Sequence, residues 1–412
     1  MNNDHSARHA DAADRARRRF LRQSSTLALL AAGGMALPAI AREMRSSKPL
    51  PAVRVAEPSQ ATVYVPPSRA RGSAVLDVRN YGAYGDGIHD DTAAIQRAID
   101  ALPSTGGTVV VPPGVYLIDA EKSVRLRSLM HLQLDHEAKL VARSNAADRY
   151  YVVNAYKVND VEISGGQVIG ERNNHLGSTG EWGHCVMVRG CKRVTVRDMR
   201  MADGWGDGLS IGAADGSTTV LSEDVAVANV VCSNNRRQGL TIGRTRDVRV
   251  HDSQFCYTGG IKPGCGIDIE PDPIGTSLTD GVLIQNCWIH DNAGNGIQIY
   301  KEVHDVTVRD CRIEFNQGYG VLAIGAVDGT IANNTLAHNR LYGVGLRVAT
   351  TGYGVDGNTF RNNKTLYFGV TNTTTTPITV TGTSVTTNPK TTWHLEITTD
   401  SVATVGTNYY AQ

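Results

Sequence analysis

Residues 292–299 read Asn-Ala-Gly-Asn-Gly-Ile-Gln-Ile, and residues 316–323 and 339–346 repeat this pattern as Asn-Gln-Gly-Tyr-Gly-Val-Leu-Ala and Asn-Arg-Leu-Tyr-Gly-Val-Gly-Leu. Each stretch has an Asn, a Gly four positions later, and then an apolar residue at every second position. Alternation with a period of two is typical of a β-strand that has one buried face. Each unit is therefore predicted to be a turn followed by a short strand.

These units recur at a spacing that predicts a solenoid. A Gly follows a Val after 14 positions in Val194–Gly208, Val225–Gly239, Val282–Gly296 and Val306–Gly320. A unit this short cannot bury its apolar face alone, so it must stack on its neighbours as a parallel β-helix with ~4.8 Å between rungs. We interpret the recurrent Asn residues as a structural ladder in the turns, bonded from rung to rung.

A helix is predicted where the repeat begins. Asp91 is expected to cap a helix from Thr92 to Leu102. The apolar face of this helix is expected to consist of Ala94, Ile95, Ala98, Ile99 and Leu102. Residues 106–116, Gly-Gly-Thr-Val-Val-Val-Pro-Pro-Gly-Val-Tyr, then indicate a turn, a strand and a second turn. A helix in this position closes the open end of a solenoid core.

This opening resembles that of a known superfamily. Residues 76–83 read Leu-Asp-Val-Arg-Asn-Tyr-Gly-Ala, and residues 85–91 read Gly-Asp-Gly-Ile-His-Asp-Asp. Residues 75–120 resemble the start of the pectate-lyase-type β-helix superfamily, which includes rhamnogalacturonase-like, epimerase-like and phage tailspike proteins. The resemblance implies a right-handed β-helix with a polysaccharide-active site. We therefore expect an all-β, single-stranded right-handed parallel β-helix at residues 73–370, with a short N-terminal capping α-helix.

The two ends of the chain have other compositions. Residues 17–22, Arg-Arg-Arg-Phe-Leu-Arg, precede an apolar stretch that is shorter than the ~20 residues of a membrane span. We predict a twin-arginine signal peptide at residues 1–41, export to the periplasm or the medium, and no membrane anchor after cleavage. Residues 42–72 are predicted to be a linker. The Thr-rich residues 371–412 are predicted to be a β tail or cap, with a disordered stalk as the alternative.

Charge and cysteine content narrow the class of protein. The chain has 41 Lys and Arg against 40 Asp and Glu, which argues against a nucleic-acid partner. Its seven cysteines are an odd number. Cys232 and Cys256 are predicted to share one repeat position, and Cys287 and Cys311 another. We therefore expect stacked, buried thiols instead of disulfides. Nothing in the sequence indicates an oligomeric state.

The repeat breaks on three nearby rungs. From Val161 to Cys185, the distance is 24 positions instead of 14, with the extra residues across 171–184. In the next rung, Gly204 replaces the Asn. From Val248 to Gly266, the distance is 18, with the extra residues near 260–263. Because a regular solenoid has no structural need for such departures, we expect the functional site on these rungs.

Polar side chains are predicted to share one outward face there. One column is Met187, Ser210, Thr241, Asp268 and Gln298, and the column two residues further on is Arg189, Gly212, Gly243, Glu270 and Tyr300. Because Gly212 and Gly243 have no side chains, they are expected to leave room at the bottom of a groove for a chain of sugars. The predicted substrate-binding residues are Trp182, Arg189, Asp203, Trp205, Arg236, Arg237, Gln298 and Tyr300.

The carboxylates carry the predicted chemistry. Asp268 and Glu270 point the same way, ~6.5–7 Å apart along the strand. This suits an inverting acid/base pair, or, together with Asp272, the binding of Ca²⁺, which is the cofactor that such ligands would take. Asp207 lies two rungs away. His184 and Lys262 are the candidate bases for removing a proton next to a carboxylate.

Three functions remain open at this stage. A lyase or C5-epimerase acting on a uronate polysaccharide would use these acids with the nearby basic residues. Residues 266–268, Gly-Ile-Asp, are similar to the Gly-Phe-Asp of the mannuronan C-5 epimerase motif, but Ile269-Glu270 stands where that motif has Pro-His. A glycoside hydrolase would use Asp207, Asp268 and Glu270, although polygalacturonase and pectate-lyase signatures do not occur here. A non-catalytic glycan-binding or cell-surface β-helix is the third.

Overall fold

The computed structural model describes residues 64–272, 278–364, 379–385, 394–398 and 400–411. The predicted signal peptide at residues 1–41 and most of the predicted linker lie outside these described residues. So do residues 371–378 and 386–393 of the predicted tail.

The described ranges contain the following elements. The first part has β1 (Ala74–Asp77), a 3₁₀ helix (Val78–Tyr81), β2 (Asp86–Asp90), α1 (Thr92–Asp100), β3 (Gly107–Val111), β4 (Gly114–Ile118), β5 (Val124–Arg125), β6 (Met130–Leu134), β7 (Ala138–Ala142), β8 (Arg149–Tyr156), β9 (Asn159–Ser164) and β10 (Gln167–Ile169). The middle part has β11 (Trp182–Arg189), β12 (Lys192–Ala202), β13 (Leu209–Gly212), β14 (Ser222–Ser233), β15 (Leu240–Ile242), β16 (Thr245–His251), β17 (Gln254–Cys256), β18 (Ile267–Ile269), β19 (Thr279–Gln285), β20 (Trp288–His290), β21 (Ile297–Ile299) and β22 (Val303–Arg309). The last part has β23 (Arg312–Glu314), β24 (Val321–Ile324), β25 (Val327–Ala332), β26 (Thr335–Ala337), β27 (Val344–Arg347), β28 (Thr351–Asp356), β29 (Thr359–Arg361), β30 (Thr379–Val385), β31 (Leu395–Ile397), β32 (Ala403–Thr407) and β33 (Tyr409–Ala411).

A regular rung consists of three strands, one on each face of a solenoid. In one rung these are β16, β17 and β18, and each pairs in parallel with its equivalent in the next rung, β19, β20 and β21. We call the three faces the back face (β16), the side face (β17) and the front sheet (β18). The front sheet has ten strands in the order β5, β8, β11, β13, β15, β18, β21, β24, β27 and β31. The predicted all-β parallel solenoid is confirmed.

The turns between strands use left-handed backbone. In the rung of β22 and β23 the φ angles are 57° at Asp310 and 56° at Phe315. Equivalent residues of neighbouring rungs, such as Asp291 and Asn286, have the same sign of φ. Asp and Asn suit these positions because their short polar side chains tolerate this conformation.

The predicted asparagine ladder is confirmed in the turns between the side face and the front sheet. Asn292 donates its side-chain amide to Asn316 Oδ1 at 2.9 Å, and Asn316 donates to Asn339 at 3.0 Å. Asn339 donates in turn to Asn363 at 2.9 Å. A second such ladder, which the sequence did not indicate, joins Asn334, Asn358 and Asn408. Both ladders are buried, so each amide satisfies a polar group that water cannot reach.

All seven cysteines are free and buried, as predicted. The predicted stacking of Cys287 and Cys311 is confirmed, because the Cys287 amide donates to the Cys311 Sγ at 3.5 Å. The predicted alignment of Cys232 with Cys256 is wrong by one residue. Cys232 pairs with Phe255, and Ser233 pairs with Cys256.

The N-terminal helix packs as predicted, but its cap does not. The apolar residues named for α1 are all buried in the core. The Asp91 carboxylate makes no cap to the helix, and it accepts instead from the amides of Tyr84 (2.7 Å) and Gly85 (3.0 Å). Asp90 accepts from the Thr92 amide at 3.0 Å in its place. The neighbouring acid thus holds the helix start, while Asp91 holds the preceding loop.

The ends of the solenoid extend beyond the predicted boundaries. Residues 64–71 of the predicted linker pack on the back face, where buried Arg69 bonds Thr195 and Asp224 and Tyr64 stacks on His251. At the other end, β31, β32 and β33 add one more rung in parallel, and β30 pairs antiparallel with β32. Within the described ranges, no helix has the length and apolarity needed to cross a membrane.

Candidate active site on the front sheet

The strand register confirms the predicted outward columns. Ser210 pairs with Thr241, Thr241 with Asp268, and Asp268 with Gln298. Arg189 pairs with Gly212 in the second column. The parallel stacking of β11, β13, β15, β18 and β21 therefore places these polar side chains on the same side of five consecutive rungs, where Ser210, Thr241, Asp268 and Gln298 are buried.

A buried ion pair between Arg237 and Asp207 lies at one edge of this group of side chains. Arg237 Nη1 donates to both oxygens of Asp207 at 3.2 and 3.1 Å, and Thr241 Oγ1 donates to Asp207 at 2.9 Å. Burial alone would lower the pKa of Arg237. The attraction of Asp207, Glu181, Asp268 and Glu270 outweighs burial and raises this pKa above its ordinary value. Arg237 is therefore a permanent cation that joins the predicted carboxylates electrostatically.

His184 accepts a backbone hydrogen bond in this site. Its Nδ1 accepts the backbone N–H of Asp207 at 3.0 Å, so its ring proton lies on Nε2. Burial lowers the pKa of His184 to about 3, despite Asp207 nearby. Tyr151 stacks on the ring with centroids 5.7 Å apart. The role of base predicted for His184 does not fit this tautomer, because neither nitrogen has a free lone pair.

Asp268 is fixed by two amides. Gln238 Nε2 donates to its Oδ2 at 2.7 Å, and Gln298 Nε2 donates to its Oδ1 at 3.1 Å. The Gln238 oxygen accepts from the Cys265 amide at 2.8 Å, which sets the orientation of Gln238. Glu270 follows two residues after Asp268, and Tyr300 occupies the equivalent position of the next rung. Both oxygens of Asp268 therefore act as acceptors.

Arg189 lies across the two glycines of its column. A Cβ placed on Gly212 would lie 1.9 Å from Arg189 Nη1, and one on Gly243 would lie 3.4 Å from the same atom. Arg189 Nη2 donates to Ser210 Oγ at 2.9 Å. The room predicted above Gly212 and Gly243 is thus partly filled by the Arg189 guanidinium. A Cβ at Gly212 would displace this guanidinium, whereas one at Gly243 would only touch it, so Gly212 is the residue that makes room for the cation.

The long insertion folds over Trp205. His175 stacks on the indole with centroids 3.9 Å apart, and the Arg236 guanidinium lies 3.7 Å from the ring centroid. The two groups must lie on opposite faces, because both are centred on one ring. Arg236 also donates to the Gly180 carbonyl at 2.8 Å. For Trp205 to stack on a sugar, as predicted, one of these side chains would have to move. Trp182 is half-buried and carries Arg149 over its ring.

Three predicted residues lie away from this cluster. Asp203 accepts from the Asn234 side chain in the turn after the side face, where its φ is 57°. Lys262 is exposed within the second insertion, and Asp272 is exposed at the end of the described range. The structure thus gives Asp203 a turn role.

The predicted calcium ligands do not gather. Among the described residues, the His, Cys and acidic groups whose ligand atoms approach as a set of three within 4.8 Å are Asp135, His136 and Glu137, at another place. Asp268, Glu270 and Asp272 are therefore not arranged as a ready metal centre in the part of the chain that the structure describes.

Several contributors were not predicted as site residues. Glu181 approaches Arg237 Nε at 3.6 Å, Gln238 and Thr241 bond the two carboxylates, and Arg172 ties the long insertion to Asn234 at 2.8 Å. Thr241 occupies one of the predicted columns, so alignment by repeat was the signal that locates it. No repeat position marks Glu181 or Arg172, because both lie in the inserted residues.

Comparison with known proteins supports the fold. The family model described as rhamnogalacturonase A/epimerase, pectate lyase-like matches residues 75–322, and the right handed beta helix region matches residues 301–408. These matches confirm the predicted superfamily and the right-handed helix. The solved A-module of mannuronan C-5 epimerase AlgE4 from Azotobacter vinelandii is similar, with a TM-score of 0.57 and 20% identity over 82% of this chain and 97% of that one.

Three relatives with similar sequences show how much of each protein this chain matches. YclG of Bacillus subtilis is 27% identical over 68% of this chain, and the chain spans about half (52%) of YclG. Mannuronan C5-epimerase AlgE5 of Azotobacter vinelandii is 28% identical over 57% of this chain and 26% of its own length. Exo-poly-alpha-D-galacturonosidase of Dickeya chrysanthemi is 44% identical over 20% of this chain and 13% of its own length.

Proposed function

We propose, from the premise that this chain belongs to the rhamnogalacturonase A/epimerase, pectate lyase-like family, that it removes the C5 proton of a uronate residue within a polysaccharide. Such a reaction needs a cation for the sugar carboxylate and a base beside C5. The named epimerase AlgE5 supports this choice among the relatives.

The observation that carries the proposal is the guanidinium of Arg189 above Gly212 and Gly243. Glu270 is the next outward residue of the same column after Gly243, one rung spacing of ~4.8 Å further on. A uronate residue seated over Gly243 would pair its carboxylate with Arg189. Its C5 would then lie beside Glu270. Arg237 lies at the same edge, but its charge is balanced by Asp207, so Arg189 is the cation assigned to the sugar carboxylate.

In the proposed reaction Glu270 takes the C5 proton. The electron pair of the broken C–H bond moves onto the sugar carboxylate as an enolate, and Arg189 stabilises its charge. In an epimerase, a proton from solvent is then added to the opposite face of C5, because Tyr300 lies on the same side of the sugar as Glu270. In a lyase, the bond between C4 and its oxygen breaks instead, the oxygen leaves with the electron pair, and a C4–C5 double bond forms.

Hydrolysis is the second candidate, favoured by the match to a galacturonosidase. Inverting hydrolysis needs one protonated acid to protonate the leaving oxygen. Asp268 is less suited to that task, because the amides of Gln238 and Gln298 donate to both of its oxygens. We therefore place proton abstraction first.

The test is incubation with polymannuronate, polygalacturonate and neutral polysaccharides. Absorbance of an unsaturated product identifies a lyase, a changed uronate epimer ratio identifies an epimerase, and new reducing ends without absorbance identify a hydrolase. We expect Glu270→Gln to lower the rate at least 100-fold without unfolding the protein, as removal of an acid–base group does. If none of the polymers changes, or if Glu270→Gln retains full activity, the proposal is wrong.

Gly212→Ala tests the placement of Arg189. The added methyl would lie 1.9 Å from Arg189 Nη1, and the flexible side chain must move away. We expect about a tenfold rise in KM, or ~1.4 kcal/mol of lost binding. The control is Gly216→Ala, because its nearest atoms are 3.8 Å from the added methyl. Equal KM values for both variants would contradict the role of Arg189.

A further inference from the structure

Aromatic side chains are exposed on the side face, away from the front sheet. Tyr257 is 42% exposed and Phe315 is 45% exposed. They follow β17 and β23, which are two rungs apart. Half-buried Trp288 lies on the strand between them. We call Tyr257, Trp288, His290, Phe315 and His338 the side strip.

Three members of the side strip have left-handed backbone, which is unfavourable for Tyr257 and Phe315. The φ angles are 57° at Tyr257, 56° at Phe315 and 54° at His338. In other rungs the same turn position holds residues that tolerate left-handed backbone, namely Asp203, Asn234, Asp291 and Asn362. Bulky aromatic residues are rare there. The backbone is thus strained at Tyr257 and Phe315, whose aromatic rings are exposed. Strained backbone is common at binding sites.

The rings of the side strip are held in place. Trp288 and His290 stack with centroids 3.9 Å apart, and Tyr257 meets His290 edge-on at 5.5 Å. Phe315 and His338 are parallel at 4.8 Å. His290 donates from Nδ1 to Asp291 at 2.7 Å, so its Nε2 accepts from Gln254, also at 2.7 Å. The strip therefore presents pre-oriented flat groups, which lose little conformational entropy on binding.

We propose that the side strip is a second binding surface for a polysaccharide, separate from the front-sheet site. This inference rests on the proposed function for its ligand class, a uronate polymer. Aromatic faces with planar polar groups between them suit sugar rings, which are apolar on their faces and polar on their edges. Tyr257 and Phe315 are ~10 Å apart along the stack, about two sugar residues of an extended chain.

Charge on this face suits a uronate polymer. Exposed Arg312 lies 5.3 Å from the Trp288 ring centroid, and exposed Arg361 occupies the equivalent of His290 three rungs further on. The acids of this face are engaged within it. Glu314 accepts from Arg312 at 2.7 Å and from Trp288 at 3.0 Å, and Asp291 accepts from His290. Because Arg312 is paired with Glu314, exposed Arg361 is the cation of this face that is offered to a carboxylate of the sugar chain. Holding one polymer at two places increases the overall affinity.

The double variant Tyr257→Asn with Phe315→Asn tests this surface. Asn already occupies this turn position at Asn234 and Asn362, so the variant should fold and keep its thermal stability. In gels that contain polymannuronate or polygalacturonate, we expect at least a tenfold weaker affinity than for the unaltered protein. Glu270→Gln should bind the polymers as the unaltered protein does. The double variant should keep the activity of the unaltered protein on short oligouronates. Tyr84→Asn, at a remote ring that is 62% exposed, is the matched control.

The outcomes separate this inference from the proposed function. Loss of polymer binding in the double variant, with activity on short oligouronates retained, supports both. Loss of binding with no reaction in any polymer supports the side strip and overturns the proposed chemistry. Equal affinity of the unaltered protein and the double variant overturns the side strip. Failure of the unaltered protein to bind either polymer also overturns it, and the surface would then be a protein contact.

Discussion

His184 is neutral because its Nδ1 accepts the amide hydrogen of Asp207 and because burial lowers the pKa of its imidazole to about 3. The sequence indicates a polar residue here, since the turn position before each repeat Gly is His184, Asp207 and Gln238 in successive rungs. It does not indicate a tautomer, which depends on one hydrogen bond between rungs. His184, which was predicted to act as a base, therefore carries its ring proton on Nε2.

We expect stability to fall with acid through this histidine. Its pKa is ~6.5 in the unfolded chain and about 3 when folded, so between these values only the unfolded chain binds the proton. The contribution is complete above about pH 6.5 and decreases by up to ~1.4 kcal/mol per pH unit below it. His184→Asn, which keeps an acceptor for Asp207, should flatten urea-unfolding stability measured from about pH 7 to about pH 4.

Exposed His136→Asn is the control and should leave that slope unchanged. Part of the slope should persist in His184→Asn, because burial also lowers the pKa of His131 and of His394 to about 4. An identical pH dependence in His184→Asn and the unaltered protein would show that folding does not lower the pKa of His184.

Individual elements were predictable where one rule determines them. The outward column of Ser210, Thr241 and Asp268 follows from a period of two, and the register confirms it. The alignment of Cys232 with Cys256 failed because equal counting from Val225 and Val248 gives Phe255, and hydrogen bonds between strands set that register. The packing of His175 on Trp205 could not be predicted from the sequence, for another reason. It depends on how inserted residues fold back, which no repeat constrains.

Asn316→Ala tests the energetic role of the asparagine ladder. Asn316 donates to Asn339 and to the Ile289 carbonyl, and its oxygen accepts from Asn292. The variant leaves buried partners without hydrogen bonds, so we expect the free energy of unfolding to fall by ~2–4 kcal/mol. Chemical denaturation measures this loss. Asn173→Ala, at an exposed position, should cost less than ~0.5 kcal/mol. Similar small losses in both variants would remove the ladder as a source of stability.

The whole molecule is a stack whose rungs were mostly predictable, while its ends were not. The spacing of the repeat predicted the regular rungs. The last rung follows a long stretch of sequence without the repeat. It is recognised only because its strands β31, β32 and β33 pair with β27, β28 and β29. All seven cysteines are unpaired and buried. A fold that forms no disulfide can be completed in the reducing cytoplasm.

We propose that the protein is exported already folded by the twin-arginine route. Arg17→Lys with Arg18→Lys should retain the protein in the cytoplasm, because that route recognises the arginine pair. Immunodetection in cell fractions measures this. Arg22→Lys is the control and should be exported normally. Unchanged export of the double variant would remove the twin-arginine proposal, and it would leave the β-helix and its site unaffected.

The strand β30 runs against the direction of the stack. It occupies the backbone donors and acceptors with which β32 would otherwise recruit a further strand. A stack of parallel strands can extend itself by adding the same strands from another copy, as fibrils do. A reversed strand offers a mismatched edge to such a copy. At β32 the edge of the stack is therefore covered by the protein's own chain, which hinders the addition of a parallel strand from another copy at that strand.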